Sequence, residues 1–99
     1  MEPCLTFAEA LDALREGKAV ARTGWQPDAY GCHRSLVLIP GREIKASFPP
    51  MVNFLGEGTE FFVEDHVDAI YRHECGHIST VVGYQFLQQD ILTNDWLVV

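Results

Sequence analysis

Phe7, Ala10, Leu11 and Leu14 recur at i, i+3, i+4 and i+7, while Glu9, Asp12, Arg15 and Glu16 fall mostly on the opposite side. That spacing predicts an amphipathic helix with one face in the core. Thr6 followed by Glu9 is a capping-box pair that fixes its start, and Gly17 stands where a left-handed residue ends it. Residues 18–22 alternate long polar with small apolar groups and read as a half-buried strand ending near Trp25. After a turn-rich stretch over 26–31, the apolar run 35–39 predicts a buried strand bounded by Pro40 and Gly41. Residues 42–48 read as an edge-like strand, with Ile44, Ala46 and Phe48 alternating, that Pro49 and Pro50 bring to an end. The glycines and Asn53 of 51–59 suggest a loop with Phe54 and Leu55 tucked inward. Strands are expected over 60–63, 66–73 and 78–82, the last two joined as a hairpin around Glu74 to His77. Leu87 and Ile91 predict a short helix within 85–93, Asn94 and Asp95 a turn, and residues 96–99 a closing strand. The predicted fold class is α+β: a small antiparallel-rich sheet with one N-terminal amphipathic helix and one short C-terminal helix.

The chain has 99 residues, 47% of them apolar and 21% charged. This fits one globular domain, 1–99, with a modest core. There is no apolar run near the ~20 residues that span a bilayer and no basic-then-apolar leader, so a soluble cytoplasmic protein is expected. Cys4, Cys32 and Cys75 are an odd number, and reduced thiols are the expectation. A net charge of −7 argues against a nucleic-acid polymer as partner, because affinity for polyanions rests on clustered Lys and Arg. Of the basic residues only Arg72 follows Pro50, so a site for a small anion must draw its positive charge from the first half or from backbone N–H groups.

Trp25 and Trp96 are the natural platforms for stacking a base, with core packing as the competing role for each; Tyr30 and Tyr84 are weaker platforms. Arg22, three residues before Trp25, is placed to grip a phosphate, or alternatively to pair with Asp95. Asp90 and Asp95 suit ribose hydroxyls or an exocyclic amine, and otherwise serve as caps; Asn94 suits a base edge or a turn. His73, Cys75 and His77, with Cys32 and His33, match no common zinc spacing, and no metal is expected. No nucleophile elbow, no phosphate-binding glycine loop and no spaced pair of titratable groups points to catalysis, so the expectation is a non-enzyme without cofactor.

The segments FAEAL, LREGKAVARTGW and DILTNDW, in that order, resemble the small phage proteins of the second Thoeris anti-defence type. The matching positions are Phe7, Gly17, Arg22, Gly24, Trp25, Asp90, Leu92, Asp95 and Trp96, and the resemblance runs from Phe7 to Val99. It implies a sponge for immune evasion: a homotetramer in the bacterial host cytoplasm that binds a cyclic nucleotide messenger without cleaving it. The implied ligand is of the glycocyclic ADP-ribose type, with cyclic dinucleotides as a second class. Tyr84 and Leu87 stand where the family carries tryptophan and serine. With the residue chemistry above, the expected ligand contacts are Arg22, Trp25, Tyr84, Asp90, Asn94 and Asp95. A homo-oligomer, dimer or tetramer, is expected because a domain of this size cannot easily enclose such a ligand and keep its own core. Two other classes stay open: a protein-binding adaptor or inhibitor, and a small metalloenzyme.

Overall fold

The computed structural model describes residues 4–25 and 31–99; Tyr30 and most of the turn-rich stretch lie outside them. Helix α1 spans Phe7–Arg15 and begins with the reciprocal cap. Glu9 N–H donates to Thr6 Oγ1 at 3.2 Å, and Thr6 N–H donates to Glu9 Oε1 at 3.0 Å. Those bonds, the one from the Thr6 backbone foremost, hold the Glu9 carboxyl below its ordinary pKa. Gly17 ends the helix with φ +88°, a conformation that costs a residue without Cβ very little.

The strands are β1 (Val20–Arg22), β2 (Cys32–Ile39), β3 (Arg42–Lys45), β4 (Glu60–Val63), β5 (His66–His73), β6 (Ile78–Val81) and β7 (Trp96–Val98). Five of them form an antiparallel sheet in the order β6-β5-β2-β1-β7. Register places Val20 opposite Leu36, Leu36 opposite Ala69, and Arg22 opposite Trp96. Alternation then turns Val20, Leu36, Ala69 and Trp96 to one side, where they meet Ala10, Ala13 and Leu14 of α1 in the core cluster. Trp96 is 0% exposed and is the largest side chain fully inside. The opposite side of the sheet contains a cavity of about 570 Å³ whose lining includes His33, Ser35, Val37, Ile70 and Arg72.

Between β2 and β5 the chain leaves this sheet. β3 and β4 pair as a separate two-stranded ribbon, and helix α2 (Pro49–Leu55) connects them. Its junction with the sheet is tight: Gly41 N–H donates to Asp65 Oδ1 at 2.6 Å, and a Cβ on Gly41 would lie 2.6 Å from the Val63 carbonyl oxygen. Helix α3 (Gln88–Leu92) precedes β7.

The α+β architecture agrees with expectation, including the N-terminal helix and the short C-terminal one. The segment 42–59 differs. Pro49 and Pro50 start a helix instead of only ending a strand, because the first helical positions need no N–H partner. Phe54 is not tucked inward; it is 87% exposed, and Leu55 is also exposed.

Candidate functional site

Arg22 lies at the end of β1 on the core-facing side, and α3 and the turn after it bring two acidic residues, Asp90 and Asp95, to it. Its Nε donates to Asp95 Oδ1 at 3.0 Å and its Nη2 to Asp95 Oδ2 at 3.3 Å, while Nη1 donates to Asp90 Oδ1 at 3.0 Å. The guanidinium is thus held between two carboxylates. Both partners respond in the direction such pairing dictates: the Arg22 pKa is raised, first by its bond to Asp95, and the Asp95 carboxyl is lowered, first by its bond from Arg22.

Asp90 is 2% exposed and its acceptors are occupied from several directions. Oδ1 takes the Arg22 bond, and Oδ2 takes the Tyr84 hydroxyl at 2.8 Å and the Leu87 N–H at 2.9 Å. The last of these closes the N-terminus of α3. The Asp90 backbone carbonyl accepts from Trp96 Nε1 at 2.8 Å, which satisfies the polar atom of an otherwise apolar buried side chain. Asp90 is therefore a hub joining β1, α3, β7 and Tyr84. Of the two roles left open for Asp90, the structure shows the cap: its side chain accepts the Leu87 N–H at the start of α3.

Arg22 and Asp95 are brought together as the paired alternative foresaw. A phosphate grip by Arg22 would require breaking this two-bond carboxylate contact.

Trp25 follows in a single 3₁₀ turn over Thr23–Trp25. It is half-buried, edge-on to Trp96 with centroids 5.4 Å apart and to Tyr84 with centroids 5.9 Å apart. The guanidinium of Arg34, from β2, sits 3.9 Å from the Trp25 ring centroid. That is close cation–π contact, and it places a cation other than Arg22 beside the stacking candidate. Arg34 alternates with Cys32 and Leu36 along β2, whose start at Cys32 lies three residues before the apolar run that marked this strand in the sequence. Tyr84 completes the corner. Burial foremost, then its bond to Asp90, pushes its phenol up to about 12, so the hydroxyl stays a donor at neutral pH.

Asn94 is exposed in the turn between α3 and β7, next to the Arg22-bound Asp95. Trp96 is core. The His73 and His77 rings lie 5.3 Å apart, but among the described residues no group of three or more His, Cys, Asp or Glu side chains is placed to hold a metal ion. No helix of the structure is long and apolar enough to cross a membrane. Trp25, the Arg34 guanidinium over its ring and the Tyr84 phenol thus meet at one corner, beside the Arg22–Asp90–Asp95 ion-pair network that Tyr84 joins.

In comparisons with known proteins, the family model described as a Tad2-like, Thoeris anti-defense 2-like domain matches residues 5–99. No curated protein matches the chain significantly.

Proposed function

Because this chain belongs to the Thoeris anti-defense 2-like family, whose role is anti-defence, we propose that it acts as a sponge that captures a cyclic nucleotide immune messenger without cleaving it. The ligand class is a glycocyclic ADP-ribose, with cyclic dinucleotides second. The observation that carries this reading is the Arg34 guanidinium 3.9 Å over the Trp25 ring, with Tyr84 at its edge. An aromatic surface paired with a cation is the chemistry that recognises a base attached to phosphates. In this account Trp25, Arg34, Tyr84 and Asn94 contact the ligand. Arg22, Asp90 and Asp95 position them.

Capture at nanomolar concentration needs about −12 kcal/mol. A ligand of about 35 heavy atoms at roughly −0.3 kcal/mol each supplies about −10, so nearly all of it must be enclosed. One 99-residue domain offers a corner, not an enclosure, and this favours a pocket completed by a second subunit. Sequestration suits the residues at the corner, where the carboxylates are engaged by Arg22 and Tyr84. Calorimetric titration with a glycocyclic ADP-ribose tests the reading. Trp25→Ala should weaken binding by about 1–3 kcal/mol, roughly five- to 150-fold; unchanged affinity in the folded variant would remove Trp25 from the site.

A further inference from the structure

Residues 82–87 join the end of β6 at Val81 to the start of α3 at Gln88, and Tyr84 lies among them. This strap is neither helix nor strand, so its placement depends on individual bonds. Its far half is held by packing and by the cap of α3: the Phe86 ring meets Phe7 with centroids 5.2 Å apart, and Leu87 N–H donates to Asp90. Its near half is tied to β5. Tyr84 N–H donates to the Val67 carbonyl at 2.7 Å, and Gly83 N–H donates to Asp68 Oδ1 at 3.1 Å. Gly83 has φ +81°, which turns the chain out of the direction of β6 in a conformation that a Cβ would strain.

Asp68 is 7% exposed, and a buried carboxylate on a strand is costly unless its oxygens are used. Oδ1 receives the Gly83 bond, and His66 Nε2 stands 3.6 Å from the same oxygen. The imidazole is a fixed neighbour, because its Nδ1 lies 2.8 Å from the Glu64 carbonyl oxygen. By alternation Asp68 faces away from Ala69 and the core, so its route to the corner is the Gly83 amide.

We propose that Asp68 is a positioning residue for the ligand corner: its bond to Gly83 sets where the strap leaves β5, and so where Tyr84 stands against Trp25 and Asp90. The margin is small. The Tyr84 hydroxyl reaches Asp90 Oδ2 at 2.8 Å, and bonds of this kind run to about 3.0 Å, so a displacement of roughly half an ångström at the neighbouring Gly83 is enough to lose it. The bearing on ligand affinity rests on the corner being the ligand site; the bearing on Tyr84 does not.

The test compares the native chain with Asp68→Ala and with Asp68→Asn, which keeps an oxygen able to accept from Gly83. The readouts are the Tyr84 phenol titration, followed by absorbance, and the calorimetric affinity for a glycocyclic ADP-ribose. Burial first, and Asp90 next, raise the native phenol to about 12. Asp68→Ala should move that step toward the ordinary value of about 10 and weaken binding about fivefold or more, the loss expected for one hydrogen bond, while Asp68→Asn restores both. A lower melting temperature with both readouts native in the folded fraction overturns the proposal, as does Asp68→Asn behaving like Asp68→Ala. Native affinity in Asp68→Ala with a shifted phenol step overturns it too. Native protein that binds no ligand counts against the ligand reading instead, and the phenol step then decides whether Asp68 places Tyr84. If Asp68→Ala does not fold, hydrogen exchange in the native chain decides: the Gly83 amide should exchange at least about tenfold more slowly than an unstructured glycine, and exchange at the unprotected rate overturns the proposal.

Discussion

Arg22 Nη1 donates to Asp90 Oδ1 at 3.0 Å, joining two residues 68 positions apart, and the carboxylate that receives it is almost wholly buried. Removing Asp90 would leave Arg22 short of a partner, the Tyr84 hydroxyl and Leu87 N–H unmatched, and α3 without its cap. Loss of one member of a buried pair costs about 3–5 kcal/mol, and the part of Arg22 still in water brings this to about 2–3. Asp90→Ala should therefore lower unfolding free energy by about that amount in urea titration. A change below about 0.5 kcal/mol would show that the hub contributes little.

The same network sets the pH behaviour at its two ends. Asp95 has a folded pKa below its ordinary value, so its contribution to stability is complete above about pH 4 and is lost as pH falls through the folded value. Tyr84 is the opposite case. Its folded pKa of about 12 exceeds the unfolded value near 10, so its contribution is complete below about pH 10 and declines as pH rises toward 12. Phenolate absorbance should show a late titration step, and Tyr84→Phe should remove it. A late step that persists in Tyr84→Phe would assign it elsewhere.

Arg22 and Arg34 separate frame from contact. Arg34→Ala should fold normally yet bind the cyclic nucleotide about 1.5–3 kcal/mol more weakly, the range for a hydrogen bond to a charged group. Arg22→Ala should chiefly lower the melting temperature, by way of the unpaired Asp90. The reverse pattern, with Arg22 dominating affinity in a stable protein, would return the phosphate contact to Arg22.

Elements whose signals are local were legible in the sequence. Thr6 and Glu9 form their cap from residues three apart, Gly17 supplies its own left-handed backbone, and residues 66–73 alternate clearly enough that β5 has the expected bounds. The double proline hid α2, because Pro49 and Pro50 disfavour a helix that contains them but not one that starts with them. Phe54 looked like core because an apolar side chain in a small domain usually is, and nothing local reveals that β3 and β4 pair outside the five-stranded sheet and leave it exposed. At the site, Arg22 and Asp95 could be paired from sequence as alternatives. Asp90 as a four-bond hub could not, since its partners come from β1, Tyr84, the start of α3 and Trp96. Arg34 was likewise hidden, because its contact with Trp25 exists only once β2 has docked against β1.

The most direct test of capture without cleavage is recovery of the ligand. The protein is incubated with a glycocyclic ADP-ribose, freed of unbound compound, denatured by heat, and the released material identified by mass spectrometry and chromatographic coelution. The account predicts the compound returned intact, in near-stoichiometric amount per site, and strongly reduced retention by Trp25→Ala. A linearised or otherwise altered product would make the protein an enzyme, and no retained compound from native protein would contradict the sponge and favour an adaptor.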